Sequence, residues 1–224
     1  MSLSHLFEAL AEIWAEQSTR ILRSGLEVGF RSAQIYITSA DGGSSPKQLT
    51  ADGRNHGDPD WSPDGKSLIF GSIPFMERDG KTVISLLDTS THRLSTLPNS
   101  EGLYSPHWSP DGRYIAAESS DGQTLMLFEF KTAEWAEWAK IPIDRKNWSH
   151  DGKFLYYSTS GVESAFYRLR ANAHTPERIV SLKEMGHQTM WPFGAWTGLA
   201  PDDSPLALRD IGVQEIYALD WRAP

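Results

Sequence analysis

Seven histidines, His5, His56, His92, His107, His150, His174 and His187, are the residues of this chain best suited to move a proton or hold a metal. None stands in an H-E-x-x-H pattern or in another close metal-ligand pair. His56, His107 and His187 share one property: each comes shortly before a tryptophan, Trp61, Trp108 and Trp196 respectively. Residues at such equivalent places can converge on an anion or a metal, and three unrelated polar loop residues are the plainer alternative. His150 reads more simply, as a solvated turn residue. The paired acids Asp58/Asp60 and Asp202/Asp203 suggest calcium, which takes several oxygens from a tight loop. The twelve-residue calcium-loop pattern is absent, and carboxylates in turns commonly accept local backbone hydrogen bonds. A serine hydrolase would need G-x-S-x-G, and Gly161-Val162-Glu163-Ser164 has no serine at its centre. No catalytic residue, no metal and no cofactor is assigned.

A binding surface suits the remaining chemistry better. The candidate ligand-binding residues are Arg54 and His56, Tyr104 and His107, Arg145 and Lys146, and His187 and Trp191. They mix cations with aromatics in a chain whose formal net charge is −8. That mixture suits a protein, a peptide or a small anionic ligand. An acidic chain offers no basic face for a nucleic-acid backbone, so no nucleic-acid partner is expected.

What must position these residues is a recurring phrase. It reads Trp61-Ser62-Pro63-Asp64-Gly65, Trp108-Ser109-Pro110-Asp111-Gly112, Trp148-Ser149-His150-Asp151-Gly152 and, more loosely, Trp196 with Pro201-Asp202-Asp203. The tryptophans are 47, 40 and 48 residues apart (108−61, 148−108, 196−148). Proline second, aspartate third and glycine fourth predict a type I turn. A β-rich run follows each turn, such as Lys66-Ser67-Leu68-Ile69-Phe70, and two more close the unit, here Val83–Asp88 and Arg93–Leu97. One strand before the turn and three after it, in about 40–50 residues, make a four-stranded propeller blade. The tryptophans are then wedges between blades, and the eight candidate residues lie on loops entering the inner strands, at the mouth of the central channel.

The first 50 residues are treated apart. Ile35-Tyr36-Ile37 and Lys47-Gln48-Leu49-Thr50 read as the third and fourth strands of a blade, and Trp14 lies 47 residues before Trp61 (61−14). The expected fold is thus an all-β propeller of five four-stranded blades with a degenerate first blade. It forms a single domain over 1–224, with repeats at about 14–50, 51–98, 99–141, 142–182 and 183–221. In residues 1–13, Leu3, Leu6, Phe7 and Leu10 recur at helical spacing, so this segment is read as either a helix or the piece that closes the ring. The last unit offers Leu206-Ala207-Leu208 and Glu215–Asp220 but no fourth strand.

The stretches "DWSPDGKSLIF", "HWSPDGRYIAA", "NWSHDGKFLYY", "QIYITSADGGSSPKQLT" and "EIYALDW" resemble the WD-type repeats of TolB-like propellers, over about residues 34–221. The ending "WTGLAPDDSPLALRDIGVQEIYALDW" is similar to the propeller segment of bacterial multidomain sensor proteins. The resemblance implies a non-catalytic sensory or protein-binding module, usually outside the cytoplasm. A five-bladed propeller enzyme acting on glycans is the alternative, and it would need two opposed carboxylates about 5–9 Å apart.

Compartment is read from what is missing. There is no cysteine, hence no disulfide framework, and no apolar run approaches the ~20 residues that cross a bilayer. Met1–Ala11 carries Glu8 and lacks a basic start, so it does not read as a signal peptide. The expectation is a monomer without membrane insertion, periplasmic or extracytoplasmic, with a cytoplasmic location as the alternative.

Overall fold

The computed structural model describes residues 12–13, 20–26, 33–39, 43–77, 81–143, 145–159, 161, 163–171, 173–183 and 196–208, the first two segments as backbone. Of the expected helix or closing piece in residues 1–13, residues 1–11 lie outside them and Glu12–Ile13 form a strand; Trp14, His187, Trp191 and the run Glu215–Asp220 also lie outside them. The described chain is organised as successive antiparallel sheets, each built from consecutive strands. The first contains β1 (Glu12–Ile13), β2 (Arg20–Leu26), β3 (Ala33–Ser39) and β4 (Lys47–Gln48). The second contains β5 (His56–Trp61), β6 (Ser67–Ser72), β7 (Ile84–Asp88) and β8 (Leu94–Thr96). The third contains β9 (Leu103–Trp108), β10 (Tyr114–Ser119), β11 (Thr124–Glu129) and β12 (Glu134–Lys140). The fourth contains β13 (Arg145–Trp148), β14 (Phe154–Ser158), β15 (Ala165–Arg170) and β16 (Glu177–Ser181). Of the fifth sheet, β17 (Thr197–Leu199) and β18 (Pro205–Ala207) are described.

The phrase folds as its composition dictates. Gly65 N donates to the Ser62 carbonyl at 2.8 Å, and Gly65 has φ +68°, a conformation that costs any residue with a Cβ. Ser62 Oγ donates to Asp64 Oδ1 (2.7 Å) and accepts from Ser67 N (2.9 Å), while Lys66 N donates to the same Asp64 oxygen (3.1 Å). Serine and aspartate thus satisfy the turn's backbone from within. The bonds recur at Ser109/Asp111 and Ser149/Asp151. They recur a further time between β10 and β11, where Ser119 and Asp121 flank Ser120 and Gly122 follows. Lys153 and Ser149 hold the Asp151 carboxyl down at about 2.

Alternation within each second strand sends side chains to two different neighbours. In β6, Leu68 and Phe70 pack with Ile35 of the first sheet, whereas Ile69 packs with Ile115 and Phe128 of the third. In β10, Ile115 and Ala117 face the second sheet, and Ala116 faces Trp148 and Leu155 of the fourth. Each core is therefore shared between consecutive sheets packed face to face, the defining arrangement of an all-β propeller. Gly71 allows the closest approach. A Cβ there would lie 2.9 Å from Ser105 N and 3.2 Å from Tyr104 Cα, so β6 and β9 meet backbone to backbone.

Trp61, Trp108 and Trp148 end β5, β9 and β13 and pack into these shared cores. Trp196 does not follow them. In the fifth sheet Leu199 pairs with Pro205, Asp203 N donates to the Ala200 carbonyl (2.9 Å), and Asp203 takes the glycine's left-handed place with φ +62°. The fifth phrase is thus Leu199-Ala200-Pro201-Asp202-Asp203, and Trp196 lies three residues upstream, 42% exposed. Counting by tryptophan misplaced it because leucine stands where the other units have the indole.

Candidate binding rim

The inner strands β5, β9, β13 and β17 run side by side about the axis and begin at one end of the propeller. At that end the segment before each inner strand meets the loop between second and third strands. Asn55 Nδ2 donates to the Met76 carbonyl (3.0 Å), Gly102 N to that of Thr82 (3.0 Å), and Ser120 N to that of Gly102 (2.7 Å). These bonds tie the rim loops together.

Six of the eight candidate residues fall within the described chain, and they form two groups. Arg54 and His56 share Asp52: Arg54 N donates to Asp52 Oδ1 at 3.2 Å, and His56 Nε2 lies 2.8 Å from the same oxygen. His56 is fully buried, its ring edge-on to Phe70 with centroids 4.8 Å apart. It braces the rim. Burial raises the Asp52 carboxyl, but the bond to His56, its charge and nearby backbone amides together leave it below its ordinary value. Arg54 is half-buried, and its carbonyl accepts from Gln34 Nε2 (2.7 Å).

The second group centres on Glu118 of β10. Lys146 Nζ donates to Glu118 Oε1 at 2.5 Å and to Ser105 Oγ at 3.1 Å, while Tyr104 OH donates to Glu118 Oε2 at 3.0 Å. The Lys146 and Glu118 side chains are 1% and 4% exposed, so this ion pair bridges the third and fourth sheets out of reach of solvent. His107 lies beside it. Burial holds its imidazole well below the usual histidine range, and the charges of Lys146 and Arg145 lower it further. Arg145 opens β13 opposite Ser158 and is half-buried.

Two acids mattered more than their sequence context showed. Asp60 binds backbone on both sides: its Oδ1 accepts from Trp61 N (2.8 Å) and its Oδ2 from Trp108 N (2.7 Å), stitching neighbouring inner strands. Burial pushes its carboxyl up to about 6, against the pull of the two amides and Lys146. Glu118 was overlooked directly after the apolar run Tyr114–Ala117, and a charge closing such a run was the available signal. Of the other acids, Asp202 accepts from Ser204 N (3.0 Å). Asp203 meets His150, whose Nδ1 lies 2.6 Å from Asp203 Oδ1, so His150 is more than a solvated turn residue. No group of three or more His, Asp or Glu among the described residues is placed to hold a metal.

The inner strands are also distorted where this cluster forms. Asp58 and Ser105 both have φ +49°, each directly before a proline, and the pairing of β5 with β6 and of β9 with β10 shifts register beside them. Such bulges re-aim side chains and are frequent next to sites.

Asp60 and His107 make opposite demands on acid stability. Between its unfolded value near 4 and about 6, Asp60 binds more proton in the native state, so its contribution falls as pH rises. His107 stays neutral in the native state, so below about 6.5 the unfolded chain takes the proton and stability falls as pH drops. The two slopes oppose one another over about pH 4–6. Asp60→Asn removes one of them, and the variant should lose stability on acidification more steeply than the wild type, by up to about 1.4 kcal/mol per pH unit. Urea midpoints at several pH values across this window measure the difference, and parallel profiles would refute the opposition.

No family model matches the sequence. Among curated proteins, the uncharacterized peptidase YuxL of Bacillus subtilis is 28% identical over 167 residues, covering 72% of this chain and 24% of its own length. The Tol-Pal system protein TolB of Alcanivorax borkumensis is 33% identical over 113 residues, covering 44% of this chain and 26% of its own. The chain thus spans about a quarter of the length of these relatives. Among solved structures, a putative TolB from Agrobacterium tumefaciens superposes with a TM-score of 0.66 at 21% identity, over 87% of this chain and 72% of that one. The sheets and shared cores define a β-propeller. Its fold is similar to that of the TolB structure it superposes on.

Proposed function

We propose that the chain is a non-catalytic interaction module whose upper rim, where the inner strands begin, binds a protein or peptide. One observation carries this reading. The groups best suited to chemistry there, Asp60, Glu118, Lys146 and His56, are bound to the scaffold itself, leaving a braced surface rather than a reactive centre. Rigid rims of this kind present loops to partners. Arg54 and Arg145 are the contacts we assign to an acidic or carboxylate-bearing segment, and His187 and Trp191 remain candidates from the sequence alone. The likeness to a Tol-Pal system protein supports a protein partner and an extracytoplasmic location. We propose that the monomer is the binding form.

Peptides selected by display against the immobilised chain provide the test. The Arg54→Ala/Arg145→Ala double variant should bind them at least about tenfold more weakly with its melting temperature unchanged, a loss of roughly 1.4 kcal/mol. Equal affinity for wild type and variant would move the site elsewhere, and a screen yielding no binder would remove the reading.

A further inference from the structure

The turns at the opposite end from the rim touch one another, and one junction is built differently. Between the second and third sheets Pro63 packs against Gly112, its Cγ 3.8 Å from where a Cβ would stand. Between the third and fourth, Pro110 packs against Gly152, its Cδ at 3.6 Å. Between the fourth and fifth sheets both members of the contact are exchanged together: His150 stands in the proline's place and Asp203 in the glycine's. Asp203 keeps the left-handed backbone, φ +62°, although it carries a Cβ. In return its Oδ1 accepts from His150 N at 3.0 Å and meets His150 Nδ1 at 2.6 Å.

From this exchange we infer that the His150–Asp203 pair is a releasable latch on the fifth sheet, closed while the imidazole is charged and loosened when it is neutral. A proline–glycine contact has nothing to titrate. An imidazole changes charge between pH 5 and 8, and a hydrogen bond between ionised partners is roughly twice as strong as a neutral one. The other charged groups of the turns meeting there are Asp111, Asp151, Lys153 and Asp202; Lys153 is paired with Asp151 at 2.8 Å, and Asp202 accepts from Ser204 N at 3.0 Å. Of these groups only His150 carries an imidazole. The sheet it holds is lightly anchored: Trp196, Leu206 and Leu208 are exposed, and Ser158 Oγ and Thr197 Oγ1 meet at 3.3 Å. Release would uncover the side of β13 that β17 adjoins.

Amide hydrogen exchange of the intact chain, corrected for intrinsic rates, reads the latch directly. Exchange of the β17–β18 amides should speed up several-fold between pH 5.5 and pH 8, while that of β9 and β10 does not. Asp203→Asn, which tolerates the left-handed backbone, and His150→Pro/Asp203→Gly, which installs the contact of the other junctions, should both abolish this pH dependence. A wild type without it, or variants that retain it, would overturn the inference. Because either variant alone reports, poor folding of one leaves the other decisive.

Discussion

Glu118→Gln is expected to cost about 3–5 kcal/mol of stability, because it leaves the Lys146 ammonium buried without its counter-charge. Ser105 Oγ, the ammonium's other partner at 3.1 Å, is neutral and compensates little. The double variant Glu118→Gln/Lys146→Met should recover most of the loss, since the glutamine still accepts from Tyr104 OH and no charge remains to solvate. A double-mutant cycle by urea unfolding measures the coupling. A single-variant cost below about 1 kcal/mol would mean that water reaches the pair and that it behaves as a surface ion pair. Either result bears on the rim, because Glu118 and Lys146 tie Tyr104 and β13 to β10.

The second large effect is expected at Trp138. Its indole is stacked on Trp148, with centroids 5.6 Å apart and planes 26° from parallel, and its Nε1 donates to the Ala173 carbonyl at 2.7 Å. His174 Nδ1 returns a hydrogen bond to the Trp138 carbonyl at 2.8 Å. A shift in the β11–β12 register, from Leu125↔Ala139 to Met126↔Glu137, leaves Trp138 without a direct partner, so its ring can reach the fourth sheet. Trp135, an odd number of residues away, points to the other side and donates from Nε1 to Pro98 at 3.0 Å. Trp138→Ala should cost about 3–5 kcal/mol, or roughly 10 °C in melting temperature for a chain of this size. Trp138→Phe should cost about half as much, keeping the packing and losing the donor. Calorimetry distinguishes these outcomes, and a near-neutral Trp138→Ala would show that the third and fourth sheets do not depend on each other.

Local rules made the strands legible. The serine–proline–aspartate–glycine turn is held by bonds within six residues, so its sequence announced each hairpin. The site was less legible because its bonds are long-range. Lys146 looked like a ligand-binding cation at the start of a strand, yet its partner is 28 residues upstream. His56 looked poised for an anion but is enclosed between Asp52 and Phe70. Asp60 and Asp203 read most simply as turn carboxylates with local backbone bonds, whereas one also stitches a neighbouring strand and the other holds a histidine in another sheet. In each case a polar side chain near the rim or a turn was already satisfied by a neighbouring sheet, which no one-dimensional pattern reveals.

The cores divided between consecutive sheets also bear on how such a chain lengthens or shortens over generations. A whole unit, copied or lost between two connecting loops, restores a like pair of faces at the scar. A half-unit change strands an apolar face on either side of it. Blade number should therefore drift by integers, with each recombination joint falling in a linker such as 97–102 rather than inside a sheet.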